Sequence, residues 1–563
     1  MTKPDDDLGF QNRLADPRLT EAQTARLRRY GVPQEVAVGE LIYQAGDVTY
    51  DLFLMESATV EIVRDIGTGD EAIMLTRGPG GFLGELNLLT GQMVYLTARV
   101  IEPGRVHRIS PEQFRRVMAE DVELSDILLT AFRVRREILK DAAARSLEIV
   151  GRSGSAAALA LRTYAARQSL PHLWFDADTV AGSALVESSA LTEDQLPAVL
   201  LGGEVMTNAT PGQLADRVGL SYQPREDDVD LVVIGAGPAG LAAGVYGASE
   251  GLVTVVLDVL GPGGQAAASS RIENYLGFPH GVSGAELTGL AAVQAMKFGA
   301  QLYAPCEVAE LDCAGRILAV ILSDGTRIST KSVVIASGAS YRSLDLDRWD
   351  EFVAAGRIFY AATDIEAKSC ASRPVTVVGG ANSAGQASLF LASRGSHVDL
   401  VIRGADISAG MSDYLVERLR AHPLITIRTS TEVTALHGNG DLTGVTLTDR
   451  ASGESIDQPS SGLFCFIGAT PATEWLANVT TDEDGFLCTD AQLVELGLGP
   501  MWEKIGRTPL PFETSVPGVF AAGDVRHGSM KRVAAAVGEG ASAVASVHQA
   551  IAYRTDKETA EVS

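Results

Sequence analysis

Three regimes of hydrophobic patterning succeed one another along the chain. After a polar stretch over residues 1–18, expected to be loose, residues 21–145 carry short β-like runs parted by glycine and then close with helix. Residues 39–47 read as strand then turn, and 52–55 and 60–63 continue the strands. Ser110-Pro111-Glu112-Gln113 offers serine as N-cap, proline at the first helical position and glutamine at the third, so a helix starts there. A small α/β pattern occupies 147–220: strand at 147–150, helix over 155–168, strand at 173–176, then strand, two-glycine turn and strand over 196–206, with Thr210-Pro211-Gly212-Gln213 opening a last helix. Beyond a polar linker at 221–228, the apolar run 231–234 suits a strand buried on both faces. Gly235-Ala236-Gly237-Pro238-Ala239-Gly240, a small-residue helix over 241–248 and a strand over 253–257 ending in Asp258 follow it. The same order recurs at 375–378 and Gly379-Gly380-Ala381-Asn382-Ser383-Ala384, whose paired strand at 398–402 ends in Arg403.

Both repeats point to dinucleotides. In G-x-G-x-x-G the first glycine, Gly235, permits the tight turn, Gly237 lets backbone approach a pyrophosphate, and Gly240 allows close contact of helix and strand. The helix N-terminus, at Pro238 and Ala239, presents free N–H groups to the anion. An acid at the end of the first strand pair suits ribose hydroxyls, and the base Arg403 at the second suits a 2′-phosphate. The length of 563 residues allows about three to four domains. With 71 acidic against 46 basic residues the net charge is −25, which argues against nucleic acid as a partner. No long apolar run and no leader-like N-terminus appear, so the expectation is a cytoplasmic protein without membrane association. The five cysteines, Cys306, Cys313, Cys370, Cys465 and Cys488, form no C-x-x-C and no metal-like cluster. Neither a disulfide framework nor a metal site is expected.

Three resemblances organise these readings. The segment Phe82-Leu83-Gly84-Glu85-Leu86-Asn87-Leu88-Leu89 resembles the phosphate-binding cassette of cyclic-nucleotide-binding domains, which implies a β-roll over 19–146 and a ribose-holding role for Glu85. Leu96 stands where that family places its phosphate arginine, Ala58 replaces a turn glycine, and the nearby Arg99 falls on the alternate face of a strand. A degenerate docking or regulatory module is therefore expected, with its ligand open. Residues 147–220 resemble a thioredoxin or glutaredoxin fold, which makes Pro197 a candidate cis residue. Its cysteine position is taken by Gly151-Arg152-Ser153-Gly154-Ser155-Ala156, and a hydroxyl does not replace a thiolate in disulfide exchange.

Residues from about 228 to 552 resemble a complete low-molecular-weight thioredoxin reductase of the class II pyridine nucleotide-disulfide oxidoreductases. The resemblance rests on the two glycine units, Gly263-Gly264-Gln265, Asn274-Tyr275, Ala336-Ser337-Gly338-Ala339, Phe466-Ile467-Gly468-Ala469-Thr470-Pro471, Gly523-Asp524 and Arg532-Val533-Ala534. It implies an FAD fold at 228–344 and 466–555 with an NAD(P)H fold at 345–465 inserted in it, and a homodimer. By the same resemblance Gly263, Gly264, Gln265, Asn274, Ser337, Gly338, Gly523, Asp524, Arg532, Val533 and Ala534 join Gly235 to Gly240 and Asp258 around FAD. Gly379, Gly380, Asn382, Ser383, Ala384 and Arg403 hold NADPH or NADH.

Where the family carries a C-A-T-C-D redox segment, this chain reads Tyr360-Ala361-Ala362-Thr363-Asp364, so Tyr360 and Thr363 replace both cysteines and no catalytic residue is assigned. Cys370 reads as a packed thiol. The expected activity is hydride transfer from NAD(P)H to FAD with an unknown final acceptor, the domains rotating about hinges near Gly338 and Gly468. Two alternatives stay open: a flavin-bearing sensor or docking protein, and a disulfide reductase working through an unrecognised thiol.

Overall fold

The computed structural model describes residues 14–562 except 49, 68–70, 86, 143–146, 224–228, 270, 271, 273, 314–316, 361, 363 and 371. Most of the polar N-terminus and of the linker lies outside these residues. The chain divides into two compact units, one of residues 1–151, 168–223 and 293–305, the other of 152–167, 224–292 and 306–563.

In the first unit, two four-stranded sheets make a β-roll. One runs Val32–Val36, Gly104–Ile109, Leu52–Met55, Phe82–Leu83, and the other Leu41–Tyr43, Thr97–Glu102, Thr59–Arg64, Ala72–Arg77. Helices Pro111–Glu120 and Val122–Ala142 follow, and Phe114 and Phe132 close on Leu52, Leu54 and Phe82 in a fully buried core. Ser110 caps the first helix on the Gln113 N–H at 3.3 Å. A further sheet sets Leu173–Asp176 parallel to Leu147–Gly151, then Ala198–Leu201 and Glu204–Met206 antiparallel. Gly202 and Gly203, at φ +60° and +83°, supply the turn that only left-handed backbone allows, and the Leu196–Pro197 bond is cis.

The second unit holds two Rossmann-type sheets. In the first, Val229–Ile234 lies between Thr254–Leu257 and Arg327–Ile335, all parallel, and the late strand Val519–Ala521 runs beside Arg327–Ile335. In the second, Ile358–Phe359, Leu463–Cys465, Val375–Val378, Val398–Val401 and Ile425–Arg428 are all parallel. A two-stranded ribbon, Ala339–Tyr341 against Ala469–Pro471, carries both crossings of the chain, and the Ser337 hydroxyl bonds the Ala472 carbonyl at 2.9 Å. The C-terminal helix Val533–Val562 packs on Pro238–Ser249 so closely that a Cβ on Gly540 would stand 2.0 Å from the Ala239 carbonyl oxygen.

Candidate functional site

The first glycine turn is built for contact with bare backbone. Gly235 has φ +104°, and a Cβ there would lie 2.2 Å from the Ala336 carbonyl oxygen; one on Gly240 would lie 1.7 Å from that of Gly235. No side chain fits at either position, so helix Pro238–Ser249 starts hard against the strand with its free N–H groups at the turn. Asp258 accepts from the N–H groups of Ala236 at 2.8 Å, Leu260 at 2.9 Å and Gly261 at 2.8 Å. Three of its roughly four acceptor positions thus shape the turn, leaving about one for a ribose hydroxyl.

A cavity of about 410 Å³ opens above this turn. Gly235, Gly237, Pro238, Ala239, Asp258, Gly264, Gln265, Ser337, Gly338, Gly523, Asp524, Arg532 and Val533 all line it. Gly240 and Gly263 are outside its lining, as are the exposed Asn274 and Ala534. Left-handed backbone at Gly263, Gly264 and Gly523, φ +120°, +53° and +78°, brings two further stretches of bare chain to the wall, through Gly264 and Gly523. Gln265 is fixed by donating to the Ala339 carbonyl. Burial raises the Asp524 carboxyl, against the pull of Lys531, whose ammonium donates to the Asp524 carbonyl at 2.5 Å. Glu539, on the C-terminal helix, accepts from the Gly523 N–H at 2.8 Å and from both arms of Arg526 at 3.1 and 2.9 Å, so the Gly523-Asp524 turn is held from below. Narrow glycine walls, a helix N-terminus and a few polar groups fit the pyrophosphate and hydroxyls of a dinucleotide.

The second glycine turn repeats the device. Gly379 has φ +144°, and its Cβ would meet the Phe466 carbonyl oxygen at 2.3 Å. Asn382 and Ser412 bond each other reciprocally, at 3.0 and 2.8 Å, fixing the start of helix Asn382–Ser393. Ser383, with Gln386, Ala387 and Phe466, lines the same cavity as the first turn. Gly379, Gly380, Asn382 and Ala384 are outside that lining; Arg403 is exposed, and its carbonyl oxygen accepts from Arg450 at 3.5 Å. The second cradle therefore opens onto the first through Ser383.

In the segment from Tyr360 to Asp364, Ala362 lines the cavity. Tyr360 is half-buried, its hydroxyl raised mainly by burial, and Thr363 lies outside the described residues. Cys370 is fully buried in the core with Phe359, its thiol raised by burial, and all five cysteines are free. In the β-roll, Leu96 is 2% exposed within the core, and Arg99 is engaged by Glu61 at 2.7 Å and Glu71 at 2.8 Å. Burial raises the Glu85 carboxyl, and its backbone N–H meets the Tyr50 hydroxyl at 3.0 Å. Arg135 and Arg136, on helix Val122–Ala142, bind the cassette backbone and amides: Arg135 to the Gly84 carbonyl at 2.8 Å, Arg136 to Asn87 at 2.5 Å and Gln92 at 2.5 Å. Sequence reasoning missed Lys531, Glu539 and these two arginines, since none sits in a recognisable motif.

Residues 229–540 match the model of the pyridine nucleotide-disulphide oxidoreductase family, and residues 33–121 match that of the cyclic nucleotide-binding domain. The chain is 31% identical over 331 residues to a thioredoxin reductase of Streptomyces clavuligerus, covering 58% of this chain and 96% of that protein. It is 31% identical over 328 residues to one of Treponema pallidum, covering 58% and 98%. The solved Lactococcus lactis thioredoxin reductase in its FR conformation superposes with a TM-score of 0.51 at 26% identity, over 58% of this chain and 99% of that one. FAD and NADPH are the cofactors of that family, and the two glycine cradles fit them. With its family match spanning more than half its length, this chain belongs to the pyridine nucleotide-disulphide oxidoreductases, as a thioredoxin reductase-like flavoprotein that also carries a cyclic nucleotide-binding domain.

Proposed function

We propose that the chain oxidises NADPH and passes the electrons to an acceptor other than a dithiol protein. The observation that carries this is the redox position itself. Tyr360 and Thr363 stand there in the sequence without sulfur, and the next thiol along the chain, Cys370, is sealed in a core. Disulfide exchange needs an accessible thiolate and a second sulfur in reach, and neither a phenol nor an alcohol supplies one. When bound, FAD supplies the hydride-accepting ring and an electron store between donor and acceptor.

The residues of this chain do the rest. Gly235, Gly237 and the start of helix Pro238–Ser249 hold pyrophosphate; Asp258 takes a ribose hydroxyl. Gly264, Gln265 and Asp524 line the ribityl and ring side, and Arg532 and Val533, at the start of the C-terminal helix, set positive potential at the cavity. Gly379, Gly380, Asn382, Ser383 and Ala384 cradle the nicotinamide nucleotide, with Arg403 at its 2′-phosphate. Ser383 and Gln386 on the flavin wall support a nicotinamide delivered directly to that wall. Gly338 and Gly468, at φ +71° and +99° beside the crossing ribbon, are the hinges for any rotation.

The domains follow as 19–146, a cyclic-nucleotide-binding-like module with regulatory or docking use; 147–220, a thioredoxin-like insert without cysteines; and 228–344 with 466–555 around an inserted 345–465. Family resemblance supports a homodimer in the cytoplasm. Anaerobic addition of NADPH, then NADH, to the flavoprotein tests the reading: rapid loss of the oxidised-flavin band is expected, and an unchanged spectrum over minutes would contradict it. With thioredoxin and a disulfide dye present, no turnover above background is expected.

A further inference from the structure

Helix Ala156–Arg167 follows strand Leu147–Gly151 in sequence, yet it belongs to the unit that carries both dinucleotide cradles. Leu159 packs against the cluster that contains Phe359, Ala362 and Leu391. The helix ends at Arg167, which lines the flavin cavity alongside Gly237 and Gly264. Its Nη1 donates to the Gly264 carbonyl oxygen at 2.7 Å. Gly264 in turn lies against the pyrophosphate turn, since a Cβ built on it would stand 2.8 Å from Gly237 Cα.

A guanidinium is thereby pinned at Gly264, whose backbone lies against Gly237, the glycine that bares its backbone to an anion. This residue falls 62 positions before the family match begins at 229, so it is no part of the shared FAD machinery. We propose that Arg167 is an FAD-binding residue of this chain: its guanidinium, held in place by the Gly264 carbonyl, binds the pyrophosphate of the dinucleotide. The planar fork of an arginine suits that task, because it can bond a carbonyl through one N–H and phosphate oxygens through others. The helix of the insert thus becomes part of the flavin site, and FAD occupancy is linked to the placement of residues 156–167. The proposal rests on the FAD reading of the cavity.

The test is reconstitution of full-length apoprotein, followed by flavin fluorescence, with FAD and with riboflavin, which lacks the pyrophosphate. In R167A and R167Q the Kd for FAD is expected to rise about tenfold or more, with R167K between them and the wild type. The Kd for riboflavin is expected to stay within about twofold. R167Q keeps a donor for the Gly264 carbonyl without the charge, so FAD binding by R167Q at wild-type strength would overturn the proposal in favour of a loop-holding role. Equal weakening for FAD and riboflavin would also overturn it, as collapse of the cavity wall. Wild-type protein that binds no FAD would instead remove the cavity reading on which the proposal stands.

Discussion

Cys465 and Cys370 are both buried, and burial disfavours the thiolate: the Cys465 thiol is pushed up to about 12, and that of Cys370 is raised by the same cause. A raised thiol pKa leaves less thiolate at every pH below it, so reactivity at pH 8 falls. Maleimide labelling of the native protein should therefore reach the half-buried Cys313 first and spare Cys370 and Cys465 until unfolding. Peptide mapping checks this, and fast labelling of Cys370 would reopen the thiol route. The missing C-x-x-C and the glycine cradles were legible in the sequence because each is a local string. Arg167 and Glu539 were not: Arg167 meets Gly264 97 positions away, and Glu539 meets Gly523 across 16. Asn274 was legible only by family resemblance, and it stands exposed outside the cavity lining.

Elements position the site through two close approaches. Glu513, wholly buried, takes both arms of Arg507 at 2.5 and 2.8 Å and the N–H groups of Leu510 and Gly518 at 2.7 and 2.8 Å, fixing the loop that feeds strand Val519–Ala521 and then Gly523-Asp524. The C-terminal helix meets the nucleotide helix at Gly540, where a methyl would enter the Ala239 carbonyl. G540A should force the helices apart at a cost of about 1–3 kcal/mol, lowering Tm and weakening FAD retention together. Thermal unfolding with flavin release reads both, and an unchanged Tm would contradict the packing. The long strands were legible because their apolar runs are continuous. The ribbon Ala339–Tyr341 with Ala469–Pro471 was not, since three-residue strands are too short for any period to show. At the β-roll, ion pairs with Glu61 and Glu71 keep Arg99 occupied.

Across the whole chain, a strongly acidic composition accompanies a flavoprotein family core and a cyclic nucleotide-binding domain, and among the described residues no helix is long and apolar enough to cross a membrane. Residues of both glycine turns line one cavity, and the sequence holds no C-x-x-C. On the proposed function, such an enzyme stores electrons on its flavin alone. The most direct test is an anaerobic titration of the holoenzyme with NADPH, counting equivalents needed for full reduction. About one NADPH, or two electrons, per flavin is predicted; about two NADPH per flavin would mean that a redox-active disulfide is present and would contradict the account.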